Sequence, residues 1–250
     1  MKNSNSIAFI LARKNSKRFK SKNIKKLGKL MLIEHTILSV LKSRCFKKII
    51  ISSDDEKILS LRKKYKAIEF LKRPAKLATD NVKALEVIMF YIKNLNLKKK
   101  FKFIIFFLPT SPFKNPKHIQ KSFNSLKKKN IDSVISVCKI LPPIQFAMKD
   151  KGGFIHPFFK NSPLIKNNTR SQNQKVAYRP NGSFWMIKID SLLKNKSLYK
   201  GKIKKFEMNA FQSIDIDTKF DFEIAKMIYK KKLFNYIFLF ITNNFYFKTF

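Results

Sequence analysis

Short apolar runs alternate with helix-patterned stretches up to residue 140. A strand buried on both faces is apolar at nearly every position, so these runs predict strands. Apolar residues that recur every third or fourth position predict amphipathic helices. The predicted strands are Ile7–Leu11, Lys48–Ile51, Ala67–Leu71, Phe103–Leu108 and Ser133–Cys138. The predicted helices are Leu32–Leu41, one that Ser53 or Asp54 caps and that runs through Tyr65, Asp80–Leu95 and Pro116–Lys129.

This alternation predicts an α/β fold, in which helices cover both faces of a mostly parallel sheet. Ligands of such folds bind at the carboxyl ends of the strands. The loops that follow Leu11, Ile51 and Leu108 are therefore expected to converge on one site.

The pattern changes after Leu141. Proline and glycine residues recur as far as Tyr178 and exclude a long helix, so we interpret 141–178 as an insertion, a small lobe or dimerisation arm. We expect one domain over 1–232, followed by an apolar tail over 233–250. The tail is too short to span a bilayer and contains asparagines, so packing on the body or a partner subunit is favoured over membrane contact. The remaining predicted elements are strands at Ser183–Ile189 and Ser213–Thr218 and a helix at Phe220–Tyr229.

The loop after the first strand is strongly basic. A buried strand that ends in a cationic, turn-prone loop is one way in which an α/β domain binds phosphate. An ordinary solvated basic loop would have the same composition, and these residues alone do not decide between the two. The cations are Arg13, Lys14, Lys17, Arg18, Lys20, Lys22 and Lys25.

The whole chain is basic, with 55 Lys and Arg against 15 Asp and Glu and a formal charge of +40. Such an excess would attract nucleic acid or an anionic membrane. The charge is mostly lysine and is spread along the chain, which favours compositional drift over a binding patch. No sequence signature of a nucleic-acid-binding module is present, so no specific nucleic-acid partner is predicted.

Acidic residues are scarce, so a close acidic pair is informative. Asp215 and Asp217 in SIDIDT would point to the same face of an extended strand. Two carboxylates on one face can hold Mg²⁺ together with phosphate oxygens, although a surface pair before a helix cap remains the alternative. Helix capping explains the other pair, Asp54 and Asp55.

The remaining candidate chemistry is sparse. Cys45 and Cys138 are the only cysteines, and no secretory signal precedes Ile7, so we expect a reducing cytoplasm. The three histidines are scattered and predict no His/Cys metal site.

Six ordered blocks between Ile7 and about Ala225 resemble one family. The chain resembles the acylneuraminate cytidylyltransferases, the CMP-sialic acid synthetases that activate nine-carbon α-keto acid sugars. Blocks such as RPAKLATD and SIDIDTKFDFEIA are similar to the family's RPAELATD and SIDIDTPEDLEIA. The other four blocks are LARKNSKRFKSKNI, SSDDEKI, LPTSPF and TRSQ…YRPNGSFWMIK.

The resemblance implies a Rossmann-like nucleotidyltransferase fold of three layers, with a small inserted dimerisation lobe whose arms are exchanged in a homodimer. It implies a Mg²⁺-dependent reaction in which the sugar's anomeric hydroxyl attacks the α-phosphate of CTP and pyrophosphate leaves. Arg13, Lys22 and Asp217 match catalytic positions, and Asp215 and Asp217 match metal ligands. The implied nucleotide residues are Arg13, Ser16, Lys17, Lys22, Asn23, Arg73, Asn81 and Val82. The implied sugar residues are Lys149, Arg170, Gln172 and Asn181.

Three departures from the family pattern affect these expectations. Lys14 and Asn15 replace glycines that would permit a left-handed backbone, a conformation that asparagine tolerates best among the other residues. Leu108 replaces a glutamine expected near the sugar, so the sugar is not identified. PIQFAMK and RSQ resemble the pseudaminic acid branch, whereas YRPNG resembles the sialic and legionaminic branches. The alternatives are a cytidylyltransferase for the eight-carbon sugar Kdo and a non-catalytic basic binder of nucleic acid or membrane.

Overall fold

A computed structural model of the protein describes residues 5–231, and a seven-stranded sheet forms its centre. The strands are β1 (Ser6–Leu11), β2 (Lys26–Leu27), β3 (Leu30–Met31), β4 (Lys48–Ser53), β5 (Glu69–Lys72), β6 (Phe103–Phe107), β7 (Ser133–Lys139), β8 (Met148–Lys151), β9 (Phe154–Pro157), β10 (Tyr178–Lys188) and β11 (Ile203–Glu207). The helices are α1 (Leu32–Ser43), α2 (Glu56–Leu59), α3 (Ala84–Asn94), α4 (Leu97–Lys100), α5 (Pro116–Leu126), α6 (Ile189–Asn195) and α7 over residues 219–231.

The strand order is β11-β7-β10-β6-β1-β4-β5. β1 pairs in parallel with β4 and β6, β4 with β5, and β7 with β11. Only β10 runs antiparallel within this sheet, between β6 and β7. The predicted α/β fold with a mostly parallel sheet is therefore confirmed.

Helices cover both faces of this sheet. On one face, Ile37 of α1 and Phe123 of α5 pack against alternate residues of β1 such as Ile10. On the other face, Ile88 of α3 and Leu192 of α6 lie in the same cluster as the intervening β1 residues. The centre of β1 is buried on both sides, which explains why Ile7–Leu11 is an unbroken apolar run. The three-layer prediction is confirmed.

Several predicted boundaries are corrected. β5 begins at Glu69 rather than at Ala67, and α3 begins at Ala84 rather than at Asp80. The helix predicted through Tyr65 is the single turn α2 followed by a 3₁₀ turn. Neither Ser53 nor Asp54 caps α2, because Asp55 accepts the backbone N–H of Lys57 at 2.9 Å.

The predictions were less accurate in the last third of the chain. β10 extends the strand predicted at Ser183–Ile189 back to Tyr178. The strand predicted at Ser213–Thr218 is wrong, since this segment is a 3₁₀ turn followed by irregular backbone. α6 and β11 were not predicted; β11 is an edge strand with the sequence IKKFE, whose lysines obscure the apolar alternation.

Residues 141–177 form what we call the arm, which lies between β7 and β10. It contains the β8–β9 hairpin and several 3₁₀ turns. Many of its apolar side chains are exposed, including Leu141, Phe154, Ile155, Phe158 and Ile165. The tail predicted over 233–250 lies outside the described residues. Within residues 5–231, no helix is both long enough and apolar enough to cross a bilayer.

Candidate active site

A cleft of about 630 Å³ opens at the carboxyl end of the sheet, where the segments after β1, β5 and β6 meet. Three loops were predicted to converge on one site. Two of them line the cleft, the loop after β1 at Arg13 and the turn after β6 at Pro109, whereas the loop after β4 does not. The cleft walls contain five cationic side chains and three carboxylates. The cations are Arg13, Lys17, Arg18, Lys22 and Arg73, and the carboxylates are Asp80, Asp215 and Asp217.

The basic loop after β1 is fixed by two hydrogen bonds. The backbone N–H of Lys14 donates to Asp54 Oδ1 at 2.7 Å, and Asn23 Nδ2 donates to the carbonyl of Arg13 at 2.9 Å. Lys14 and Asn15 do not adopt a positive φ, whereas Ser21 does, with φ of 55°. The expected need for a left-handed backbone at Asn15 is therefore wrong for this structure.

The outer cations of the loop pair with one carboxylate across the cleft. Arg13 Nη1 lies 2.5 Å from Asp80 Oδ1, and Lys17 Nζ lies 3.3 Å from Asp80 Oδ2. Arg13 also donates to the carbonyl of Thr79 at 3.1 Å. Desolvation alone would raise the pKa of Asp80, but the hydrogen bonds and charges of Lys17 and Arg13 lower it on balance. Asp80 thus lies before α3, whose first turn is capped where Glu86 Oε1 accepts the N–H of Lys83 at 3.1 Å.

The inner cations pair with Asp217. Lys22 Nζ donates to Asp217 Oδ1 at 2.7 Å, and Arg18 Nη2 donates to Oδ2 at 2.6 Å. Lys22 is the more buried of the two cations, with 15% of its side chain exposed against 69% for Arg18. Asp217 is thus held between the basic loop and the start of α7.

Asp215 lies deeper than Asp217 in the same cleft. Burial raises the pKa of the Asp215 carboxyl, a hydrogen bond with Thr110 opposes the shift, and the charge of Asp217 adds to it. Asp215 Oδ1 is buried and accepts no hydrogen bond from any residue between 5 and 231. The two aspartates therefore line one cleft, as expected, although not from a strand.

Asp215 packs against Gly182, which lies in the irregular stretch of β10. Gly182 has φ of 73°, and a Cβ there would lie 2.7 Å from Asp215 Oδ2. Ser111 Oγ donates to the carbonyl of Asn181 at 2.9 Å, and Ile216 N donates to the carbonyl of Thr110 at 2.8 Å. These bonds fasten the turn after β6 to β10 and to the acidic segment.

This arrangement suits Mg²⁺. A buried carboxylate oxygen without a partner and a second carboxylate in the same cleft match an ion that takes one or two carboxylates, phosphate oxygens and waters. Among residues 5–231, no group of three or more His, Cys, Asp or Glu side chains could hold a metal alone. Asp215 and Asp217 remain predicted ligands, which would need phosphate to complete the coordination.

Arg73 contributes a buried cation to the cleft. It is 6% exposed, its Nε donates to Ser52 Oγ and its Nη2 to the carbonyl of Ser52, each at 2.9 Å. Burial lowers the pKa of Arg73, which the charges of Tyr91 and Asp54 partly offset. Among the described residues Arg73 forms no ion pair, so its charge is free to face an anionic ligand.

The other predicted nucleotide residues are mostly at the cleft. Ser16 and Asn23 are buried in its wall, and Val82 lines it. Asn81 is exposed in the turn before α3 and does not line it. Its predicted contact was through the backbone, and that contact stays a prediction.

The structure does not bring the predicted sugar residues together. The amide of Asn181 is fully buried, donates to Ser213 Oγ at 2.9 Å and accepts from the N–H of Ser183, so its side chain does not face the cleft. This corrects its expected direct contact. Lys149, Arg170 and Gln172 are exposed on the arm and none of them lines the cleft.

Lys114 is a buried residue that the sequence did not single out. Its Nζ donates to Thr36 Oγ1 and to the carbonyl of Leu108, each at 3.0 Å, and to the carbonyl of Ser111. Burial lowers the pKa of Lys114 to about 7, opposed by the charge of Asp215. The amine ties the turn after β6 to α1 behind the cleft.

The sequence identified Arg18 only as one cation of the basic loop, and it did not identify Asp80, Thr110 or Gly182 as site residues. Arg18 and Asp80 stood in recognised blocks, and their opposite charges beside a phosphate loop were the available signal. Thr110 and Gly182 act through local geometry, for which the sequence gives no charge or spacing signal.

Comparisons with known proteins agree with this geometry. A profile of the family described as Cytidylyltransferase matches residues 7–239. The N-acylneuraminate cytidylyltransferase of Escherichia coli is 31% identical over 234 residues, which make up 90% of this chain and 52% of that protein. The chain thus spans about half the length of that relative.

Two further similarities cover nearly the whole length of the compared protein. The CMP-N,N'-diacetyllegionaminic acid synthase of Legionella pneumophila is 30% identical over 226 residues, or 89% of this chain and 95% of that protein. A solved structure of a CMP:2-keto-3-deoxy-manno-octonic acid synthetase complexed with CTP has a TM-score of 0.65 at 13% identity, covering 92% of this chain and 100% of that one. The last similarity shows a shared fold.

Proposed function

Because the chain belongs to the cytidylyltransferase family and is a nucleotidyltransferase, we propose that it transfers CMP from CTP to an acylneuraminate-type nine-carbon α-keto acid sugar. Pyrophosphate is the second product. The observation that supports this most directly is a cleft in which a basic loop faces Asp215 and Asp217. The N-acylneuraminate and the N,N'-diacetyllegionaminic acid in the names of the two relatives support the acceptor class.

The reaction replaces one bond to phosphorus by another. The sugar's anomeric oxygen bonds to the α-phosphorus of CTP, the bond from that phosphorus to the bridging oxygen breaks, and pyrophosphate leaves with the electron pair. The hydroxyl proton is lost to a carboxylate or to water. Such a transfer depends on positioning and on charge neutralisation more than on covalent catalysis by the protein.

The basic loop supplies the charge neutralisation. When the triphosphate enters, Arg13 and Lys17 exchange Asp80 for phosphate oxygens. Lys22, mostly buried beside Asp217, is placed to stabilise the charge that develops on the leaving pyrophosphate. Ser16 and Asn23 shape the loop, and Arg73 holds the nucleotide from the β5 side.

Asp215 and Asp217 would hold Mg²⁺ in this proposal. With Mg²⁺ held there, the site would supply charge neutralisation for the phosphates and would lower the pKa of the attacking hydroxyl. The protein's part is to keep Asp215 Oδ1 free for that use while Thr110 and Asp217 set its surroundings.

The acceptor side is proposed to involve the arm. Arg170 suits the sugar's carboxylate because its planar guanidinium can bind both oxygens, and Gln172 and Lys149 lie on the same arm. The arm's exposed apolar side chains, such as Phe154 and Ile155, support a homodimer in which the arm packs on a second copy. Sedimentation of the wild type as a monomer at micromolar concentration would refute the dimer. Phe154→Ser with Ile155→Ser should shift a dimer toward monomer.

The direct test is pyrophosphate release from CTP and Mg²⁺ with a panel of sialic, legionaminic and pseudaminic acids and the eight-carbon Kdo. We expect release with at least one nine-carbon acid, and folded protein that is inactive with all of them contradicts the proposal. The comparisons favour neither the Kdo alternative nor the basic binder. The proposed location is the cytoplasm, in keeping with Cys45 and Cys138, which are both buried and are not joined by a disulfide.

A further inference from the structure

Arg73 lies in a surrounding that binding of an anion would explain. A buried guanidinium normally has a carboxylate partner, because burying an unpaired charge is costly. The only bonds that the Arg73 side chain makes among the described residues go to Ser52, and they use two of its five N–H donors. The remaining donors are available to the cleft that Arg73 lines.

Within residues 5–231, Ser52 is the only hydrogen-bond partner of that guanidinium, and it is itself fully buried near the end of β4. Its hydroxyl accepts from Arg73 Nε and forms a second hydrogen bond with the hydroxyl of Tyr91 at 3.0 Å. The hydroxyl hydrogen of a serine rotates about the Cβ–Oγ bond unless a partner fixes it. The tyrosine therefore sets the direction in which Ser52 Oγ presents its lone pair to Arg73.

Tyr91 is well suited to hold this position. It lies on α3, is 4% exposed, and its ring stacks on Phe9 with centroids 5.2 Å apart. The core thus fixes the ring of Tyr91, and the hydroxyl of Tyr91 reaches Ser52 near the carboxyl end of β4. The helix that covers the sheet is connected in this way to a cation in the cleft.

We propose that Tyr91, acting through Ser52, is a positioning residue that orients the Arg73 guanidinium toward an oxygen acceptor of the bound nucleotide. The proposal rests on the proposed function, since CTP is the ligand in question. It assigns Tyr91 no contact with either substrate.

The test is the kinetics of Tyr91→Phe, which keeps the stacked ring and removes only the hydroxyl. We expect the KM for CTP to rise about fivefold, the size typical of one lost hydrogen bond, while the KM for the sugar stays unchanged. Because a positioning residue acts only through Arg73, the same substitution in an Arg73→Ala background should change the KM for CTP by less than about 1.5-fold. Ser52→Ala should reproduce the effect of Tyr91→Phe.

Tyr65→Phe is the matched control. Tyr65 is also a buried tyrosine, and its hydroxyl donates to Glu34 Oε1 at 2.8 Å in the other core. Its loss should lower the melting temperature and leave the KM for CTP unchanged. An equal rise for both tyrosine variants, or a full effect of Tyr91→Phe without Arg73, overturns the inference.

The two proposals fail in different ways. An active wild type whose KM for CTP is the same after Tyr91→Phe overturns the positioning role alone. A folded wild type that neither binds CTP in calorimetry nor releases pyrophosphate overturns the proposed function and the inference with it.

Discussion

Replacing Gly182 by alanine would displace Asp215 while leaving every charge in the cleft in place. The Cβ of alanine would lie 2.7 Å from Asp215 Oδ2, 3.0 Å from its Cγ and 3.1 Å from Ser111 Oγ. Ordinary contact begins near 3.4 Å, so the carboxylate must move by about 0.7 Å or the β10 turn must open by the same amount. Either change alters the position of the predicted metal ligand.

Gly182→Ala should lower both the stability of the fold and the rate of the reaction. The φ of 73° at Gly182 costs an alanine about 1–2 kcal/mol of folding free energy. A displacement approaching 1 Å at a catalytic group can reduce the rate about 100-fold. We therefore expect kcat to fall about 10- to 100-fold, beyond what the loss of stability explains.

Two other glycines separate these effects. Gly201 has φ of 94°, and its added Cβ would lie 2.7 Å from a carboxylate oxygen of Asp132, which does not line the cleft. Gly152 has φ of 63° and no atom within 4 Å of the added Cβ, so it reports the backbone cost alone.

The assay is pyrophosphate release at saturating CTP and sugar, with unfolding in urea measured on each variant. Gly201→Ala should be destabilised as much as Gly182→Ala and yet keep most of its kcat. If both variants lose the same fraction of kcat, activity does not depend on the contact between Gly182 and Asp215, and the prediction is refuted.

Three further predictions concern charged groups. Asp217→Asn should reduce pyrophosphate release at least about 100-fold with an unchanged circular dichroism spectrum, and a fully active variant would remove its metal role. Asp80→Asn frees Arg13 and should lower the KM for CTP about two- to fivefold at low salt. The surface variant Asp190→Asn is the control and should leave this KM unchanged. A KM that rises in Asp80→Asn would instead make Asp80 a positioning group. Burial lowers the pKa of Lys114 to about 7, so the unfolded chain binds the proton of this amine more tightly than the folded chain does. The free energy of unfolding should therefore rise from pH 7 to about pH 9. Urea titrations of Lys114→Met should show a smaller rise over the same range.

Much of the sheet was predictable because a strand that is buried on both faces is apolar at nearly every position. Ile7–Leu11 of β1 and all of β6 are apolar, and the carboxyl ends of these two strands mark the position of the cleft. The resemblance to the cytidylyltransferases, confirmed by the family profile, added the acidic pair as part of the same site. Local periodicity alone left that pair on a strand, which the structure does not contain.

The errors have physical causes. α3 begins late because the chain is extended at Lys83, whose N–H is capped by Glu86. Asp80 instead pairs with Arg13 and Lys17, a tertiary interaction that the helical pattern of Asp80–Leu95 does not reveal. β11 escaped prediction because an exposed edge strand tolerates lysine at most positions. Asn181 was expected at the sugar because its block matched, but a match in sequence does not say to which side of a strand an amide points.

β10 has a consequence for how this chain accepts changes in length. Its pairing with β7 is interrupted between Pro180 and Trp185, so the strand holds an irregularity directly beneath Asp215. Between these two residues β10 advances by five positions while β7 advances by two, from Val137 to Ile135, so β10 carries three extra residues. Deleting one of them would leave the ladder irregular and would shift the register of the strand on one side of the deletion, which turns its side chains to the opposite face. The arm that precedes β10 contains an exposed hairpin, and a Cβ added at either residue of its tip, Gly152 or Gly153, would meet no atom within 4 Å. Insertions should therefore be tolerated within a few residues of the hairpin tip and excluded from the four positions under the cleft.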